Sequence, residues 1–66
     1  MCLSTVYIGM DGERQEVMKD VAQMVFTKGG YRLVGLLGDE KFVAGNIRSV
    51  DFIDEHIVIL GQGGPL

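Results

Sequence analysis

Apolar and polar residues change places quickly along this chain, and glycine falls at most of the changes. Residues 3–8 (LSTVYI) mix β-branched and aromatic side chains and stop at the GMDG of residues 9–12, which predicts a first strand and a turn. Residues 13–26 (ERQEVMKDVAQMVF) carry two signals. Val17, Val21, Met24 and Val25 recur at helical spacing among good helix formers. The competing pattern is two short strands, 15–18 and 21–28, broken at Lys19-Asp20. In that pattern Val21, Gln23, Val25 and Thr27 face one way and Ala22, Met24, Phe26 and Lys28 the other. The strand pattern is favoured because the segments C-terminal to it are plainly β.

Lys28-Gly29-Gly30-Tyr31 predicts a two-residue hairpin turn in which Gly29 and Gly30 supply positive φ angles. Residues 31–37 (YRLVGLL) form the returning strand, and Gly38-Asp39-Glu40-Lys41 a second turn. Phe42 and Val43 lie in a short strand that stops at Gly45-Asn46. Residues 47–53 alternate, with Ile47, Ser49, Asp51 and Ile53 on one face and Arg48, Val50, Phe52 and Asp54 on the other. Asp54-Glu55 turns the chain, and residues 56–60 (HIVIL) close the last hairpin. The expected fold is all-β: six to seven short antiparallel strands in a small barrel-like or two-sheet domain over residues 1–60, with a flexible glycine-rich tail at 61–66.

Length adds a constraint. A chain of 66 residues buries only about 60% of its unfolded surface and usually needs a disulfide, a metal or a partner copy. One cysteine makes no internal disulfide, so a metal, a homodimer or both are expected. The apolar fraction of 47% with a single proline argues for a folded domain rather than a disordered tail. Six basic residues against nine acidic ones give a net charge of −3, and no basic run occurs, which disfavours nucleic acid as a partner. No signal peptide is read in residues 1–9, and no apolar run approaches the roughly 18 residues of a membrane span. A cytoplasmic protein with a reduced thiol is the expectation.

Constellations for catalysis are nearly absent, and no catalytic residue is assigned. With one His and one Cys, a nucleophilic pair would require His56 to fold beside Cys2, which no spacing demands. His56 reads more simply as an exposed histidine at a hairpin end. Asp39-Glu40 and Asp54-Glu55 fall in turns, where carboxylates are ordinarily solvated. The terminal GQGGPL lacks the succeeding helix that a phosphate-binding loop needs. Of Met1, Met10, Met18 and Met24, the pair Met18 and Met24 reads as core filler.

Cys2 stands apart by position. Its thiolate is the metal-binding form, and the Met1 amine and Cys2 amide nitrogen lie beside it. Amine, deprotonated amide and thiolate together close two five-membered chelate rings with donors in a plane. Such a set suits Ni(II) or Cu(II) better than tetrahedral Zn(II). Were Met1 removed, the Cys2 amine and thiolate would still close one ring. Either way one chain supplies too few donors for a closed site, and two chains about a two-fold axis could complete it. The plain alternative is that Cys2 is a small apolar residue at a strand start.

The wider register bears on that choice. The initial Met1-Cys2, the Val17…Asp20-Val21 step, the Arg32-Leu33…Leu36-Leu37-Gly38-Asp39 block and the Ile47…Val50-Asp51…Ile57 hairpin together resemble the CooT family of small nickel-binding accessory proteins over roughly residues 1–60. The resemblance implies an all-β homodimer that binds Ni(2+) through the cysteine after the initiator methionine. It also implies a part in delivering nickel to carbon monoxide dehydrogenase or its maturation factors. Only Cys2, with the adjacent Met1 backbone, carries over as a ligand position. The function expected is therefore that of a nickel metallochaperone with its metal at the dimer interface, not an enzyme. The alternative is a non-metal β-barrel interaction module for protein or RNA, presenting Tyr7, Tyr31, Phe42 or Phe52 as a stacking platform.

Overall fold

The structure, a computed structural model, describes residues 3–10 and 13–61. Six strands lie among them: β1 (Ser4–Met10), β2 (Glu13–Thr27), β3 (Gly30–Gly35), β4 (Glu40–Val43), β5 (Asn46–Asp51) and β6 (Ile57–Gly61). They form one mixed sheet in the order β4-β3-β2-β1-β6-β5. Of the glycine-rich tail expected at 61–66, Gly61 instead ends β6 and is buried, and residues 62–66 lie outside the described residues.

The all-β expectation holds, and three of its details are corrected. First, residues 13–27 are neither a helix nor two strands but one strand that serves two neighbours. Its first half pairs antiparallel with β1, its second half with β3, and Val21 pairs with both Ser4 and Gly35. The break expected at Lys19-Asp20 is instead a bulge: the register steps from Ser4↔Val21 to Val6↔Met18. Asp20 takes a φ of 54° there, in the left-handed region that Asp tolerates better than most side chains. Its carbonyl accepts a hydrogen bond from Leu36 N–H at 3.0 Å. The bulge thus turns one strand from β1 toward β3 without ending it.

Second, the strands are not all antiparallel. β1 and β6 run parallel, pairing Thr5↔Ile57, Val6↔Val58, Tyr7↔Ile59 and Ile8↔Leu60. Third, the sheet neither closes into a barrel nor splits in two. Its edges are β4 and β5, which are consecutive in sequence and joined at one end through Ala44-Gly45. Gly45 has a φ of 147°, and a Cβ there would stand 2.5 Å from the Gly61 carbonyl oxygen. The corner therefore presses on β6 and requires glycine.

Smaller boundaries move as well. β1 continues through Gly9 and Met10, so the first turn is shorter than GMDG. The β2–β3 hairpin turns at Lys28-Gly29, where only Gly29 has a positive φ, 87°, and Gly30 pairs with Thr27. The next turn is Leu36-Leu37-Gly38, with Gly38 N–H bonded to the Gly35 carbonyl at 3.0 Å and Gly35 N–H to the Asp39 carbonyl at 2.7 Å.

The sheet coils around a small core of Val6, Val21, Leu33, Val58 and Leu60. Val6, Leu33 and Leu60 are fully buried, and they come from β1, β3 and β6. Met18 and Met24 pack against this cluster as the sequence suggests. Because Leu33 spans the two halves of so small a core, Leu33→Ala should lower the unfolding free energy by about 2–5 kcal/mol, a large share of what such a domain possesses. Leu37→Ala, at a residue 91% exposed, should change it by less than about 0.5 kcal/mol. Urea unfolding of the two variants checks the contrast.

Candidate functional site: an apolar cleft beside the start of the first strand

Met1 and Cys2, the expected metal ligands, lie outside the described residues. The described chain begins at Leu3, and the side chain of Ser4 opens onto a cleft of about 510 Å³. The buried Val6 and Val58 form its floor. Val21, Gln23, Met24 and Tyr31 supply one wall from β2 and β3; Ile47, Val50 and Phe52 supply the other from β5 and the loop beyond it. None of the cleft-lining residues is Asp, Glu, Lys or Arg.

Two bulges build these walls. The register of β5 against β6 steps from Ile47↔Leu60 to Ser49↔Ile59, leaving Arg48 as an extra residue. Strict alternation would place Ile47 and Val50 on opposite faces, but the bulge brings both, with Phe52, to the cleft. In β2 the extra residue is Ala22, between Val21↔Gly35 and Gln23↔Val34. It sets Val21 and Met24 on the core side together. Phe26, on the same side as Tyr31, meets that ring edge-on with centroids 5.7 Å apart.

His56 is half-buried rather than exposed at a hairpin end. Its φ is 55°, its carbonyl accepts the Thr5 N–H at 3.2 Å, and its side chain lines the cleft with Ser4. A histidine is thereby set against the beginning of the first strand, and no spacing in the sequence signals this because the contact depends on the parallel β1–β6 pairing.

Asp51 organises the loop at the cleft mouth. One carboxylate oxygen, Oδ1, accepts the backbone N–H groups of Ile53 at 3.0 Å and Asp54 at 2.9 Å. These hydrogen bonds, first from Asp54 and then from Ile53, hold the carboxyl below its ordinary range, with smaller help from the Glu55 backbone and from His56. The loop so held presents Phe52 and Ile53 to water, 77% and 85% exposed.

The other sequence candidates disperse. Tyr31 and Phe52 both line the cleft, whereas Tyr7 lies under Arg14, whose guanidinium carbon is 4.5 Å from the ring centroid. Phe42 pairs with Arg32 in the row next to Tyr31↔Val43 and so faces the opposite side. The four aromatics therefore do not make one stacking platform. Glu40 pairs with Arg32 at 3.4 Å, half-exposed on both sides, an interaction of small worth. Among the described residues no group of three or more His, Cys, Asp or Glu could hold a metal ion, and no helix is long and apolar enough to cross a membrane.

The fold is thus a small open mixed sheet with an uncharged, mainly apolar cleft. The chain belongs to the CooT family, described as the CO dehydrogenase accessory protein CooT, whose profile matches residues 1–60. This is a family of accessory proteins, not of catalysts. Among solved structures the chain is similar to one assigned as CooT from Carboxydothermus hydrogenoformans. The TM-score is 0.85 at 19% identity, over 96% of this chain and 100% of that one. At that identity the likeness establishes the shared fold. No curated protein matches the sequence significantly.

The Asp51 clamp carries a sign. A carboxyl whose folded value is depressed stabilises the loop above the ordinary carboxylate range, and the effect is lost as pH falls through the depressed folded value. Backbone amides of Ile53 and Asp54 should therefore keep their shifts and protection from neutral pH down into mild acid and lose them only at strongly acidic pH. Asp51→Ala should speed exchange of both amides several-fold at neutral pH. An NMR titration of the two proteins reads both effects.

Proposed function

We propose that this chain binds Ni(II) as cargo and hands it on during maturation of carbon monoxide dehydrogenase, acting as a homodimer with the metal held between the two copies. The observation that carries this reading is the family match over residues 1–60, which takes in the Met1-Cys2 pair. Two further facts support it. Cys2 is the only cysteine of the sequence, and the described residues gather no competing ligand cluster.

The chemistry of the donor set fits nickel. Cys2 supplies thiolate sulfur, and the Met1 amine or the intervening amide supplies nitrogen. These are donors that suit a planar Ni(II) site better than a tetrahedral zinc site. Protein ligands of this kind must lose their protons to bind. Affinity should accordingly be highest at neutral to alkaline pH and fall as the thiol and amine become protonated. Two donors from each copy would fill four positions, so the metal and the dimer contact would stabilise one another by mass action.

Titration with Ni(II), followed by absorption, tests the proposal. Thiolate-to-nickel charge-transfer bands should saturate at one metal per two chains. Cys2→Ser should abolish the bands and weaken binding by at least about 100-fold while the circular dichroism of the fold is unchanged. Adding two residues before Met1 should weaken binding less than Cys2→Ser does, because the thiolate survives and only the amine is displaced. Unchanged affinity in Cys2→Ser would refute the site, and one metal per chain would place it within a single copy.

A further inference from the structure

We infer that the His56 imidazole is a further nickel ligand, closing on the metal together with the Cys2 thiolate at the start of β1. The inference rests on the nickel reading proposed above and adds a side-chain donor to it.

The first support is position. β1 and β6 run parallel with Thr5 opposite Ile57, and the Thr5 N–H donates to the His56 carbonyl at 3.2 Å. Backbone hydrogen bonding therefore holds His56 against the first residues of β1. Its side chain and that of Ser4 line one cleft. Cys2 precedes Ser4 by two residues. Whatever course residues 1–2 take, chain connectivity keeps the Cys2 Cα within about 7 Å of the Ser4 Cα. A thiolate so tethered and an imidazole beside Ser4 can reach one metal ion without any change in the sheet.

The second support is the chemistry of the ring. Of the other cleft-lining side chains with a heteroatom, Ser4 and Tyr31 carry hydroxyls, Gln23 an amide, and Met24 a thioether that packs against the core. Only His56 brings an imidazole, a donor that suits nickel. It is the single histidine of the sequence. Among the described residues, no hydrogen bond to another residue occupies either ring nitrogen. Nor does the backbone require an imidazole, since the φ of 55° at His56 is one that Asn, Asp or Gly also meets.

The third support is charge. Among the described residues no Lys or Arg lines the cleft, so no fixed positive charge opposes a dication there. The Asp51 carboxylate lies close enough to His56 to interact with its charge. A negative group near a ligating imidazole favours the cationic complex. Ni(II) takes tetragonal as well as planar sites, so a third donor from each copy has a place beside the thiolate and the amine. Unlike the amine, the imidazole does not depend on the state of the terminus.

His56→Asn removes the imidazole and leaves a residue suited to the same φ. Titration of that full chain with Ni(II) against a competing chelator should show affinity lowered at least about tenfold. The ligand-field bands of nickel should be displaced, with the thiolate charge-transfer bands retained and the melting temperature of the metal-free chain nearly unchanged. NMR of the unmodified chain gives a second reading, because one histidine gives one set of ring signals. These should shift or broaden as nickel is added, and should stay in place at the same nickel concentration in Cys2→Ser. That result stands even if His56→Asn folds poorly. Ring signals that hold their position through nickel saturation of the unmodified chain overturn the inference. So does a folded His56→Asn chain whose affinity and nickel spectrum match wild type while Cys2→Ser has lost binding. A Cys2→Ser chain that binds nickel like wild type is a different failure: it refutes the nickel site proposed above, and the inference with it.

Discussion

The double duty of Val21 is the constraint on which the rest of this fold depends. It pairs with Ser4 on one side and Gly35 on the other, at the point where β2 passes from one neighbour to the next. A flat strand could not serve β1 and β3 in succession while keeping its apolar side chains inward. The bulges at Lys19-Asp20 and Ala22 solve this by bending the strand and resetting its alternation. Once β2 is bent, Leu33 on β3 comes to face Val6 on β1 and the parallel β6 beyond it, and a 66-residue chain acquires a core. Removing the bend would leave two half-sheets with one apolar face each and no opposing layer.

The parts of this architecture that are legible in sequence are the parts governed by neighbours along the chain. β3, β4, β5 and β6 come from glycine punctuation and short β-branched runs; the β5–β6 hairpin forms, but its connection takes residues 52–56 rather than Asp54-Glu55 alone. The hidden parts depend on residues far apart. The parallel β1–β6 pairing joins residues 5–8 to 57–60, and nothing local records it. Alternation of period two assigns Ile47 and Val50 to opposite faces, and one extra residue in a bulge inverts that assignment without leaving a mark in composition. The same effect brings Val21 and Met24 to one face. Of the candidate site, Cys2 is legible through its position beside the terminal amine. The cleft is not, because its residues come from β1, β2, β3, β5, β6 and the loop before β6, brought together only by those bulges.

The distribution of charge and apolar surface has its origin in the same geometry. An open sheet has two edges, and these carry liabilities for unwanted pairing. β4, at one edge, carries Glu40 and Lys41, the latter donating to the Val17 carbonyl at 3.1 Å, which makes that edge short and charged. β5, at the other, carries the Arg48 bulge. Edge pairing with another chain is thus discouraged at both ends, while the uncharged cleft between the two arms is left available. β5 thus carries both the bulge at its edge and Ile47 and Val50 on the cleft, whereas β4 lines no part of the cleft.

On the proposed reading, metal release would be tied to this economy of core and ligand. A delivery protein must hold its cargo tightly enough to exclude competing sites and still give it up. A single chain with a closed four-donor site would have to break every bond in place. A site shared between copies offers another route, since whatever separates the copies halves the donor set at once. Linkage makes this reciprocal: metal that binds only the dimer tightens the dimer, and a client surface that competes for the dimer contact loosens the metal.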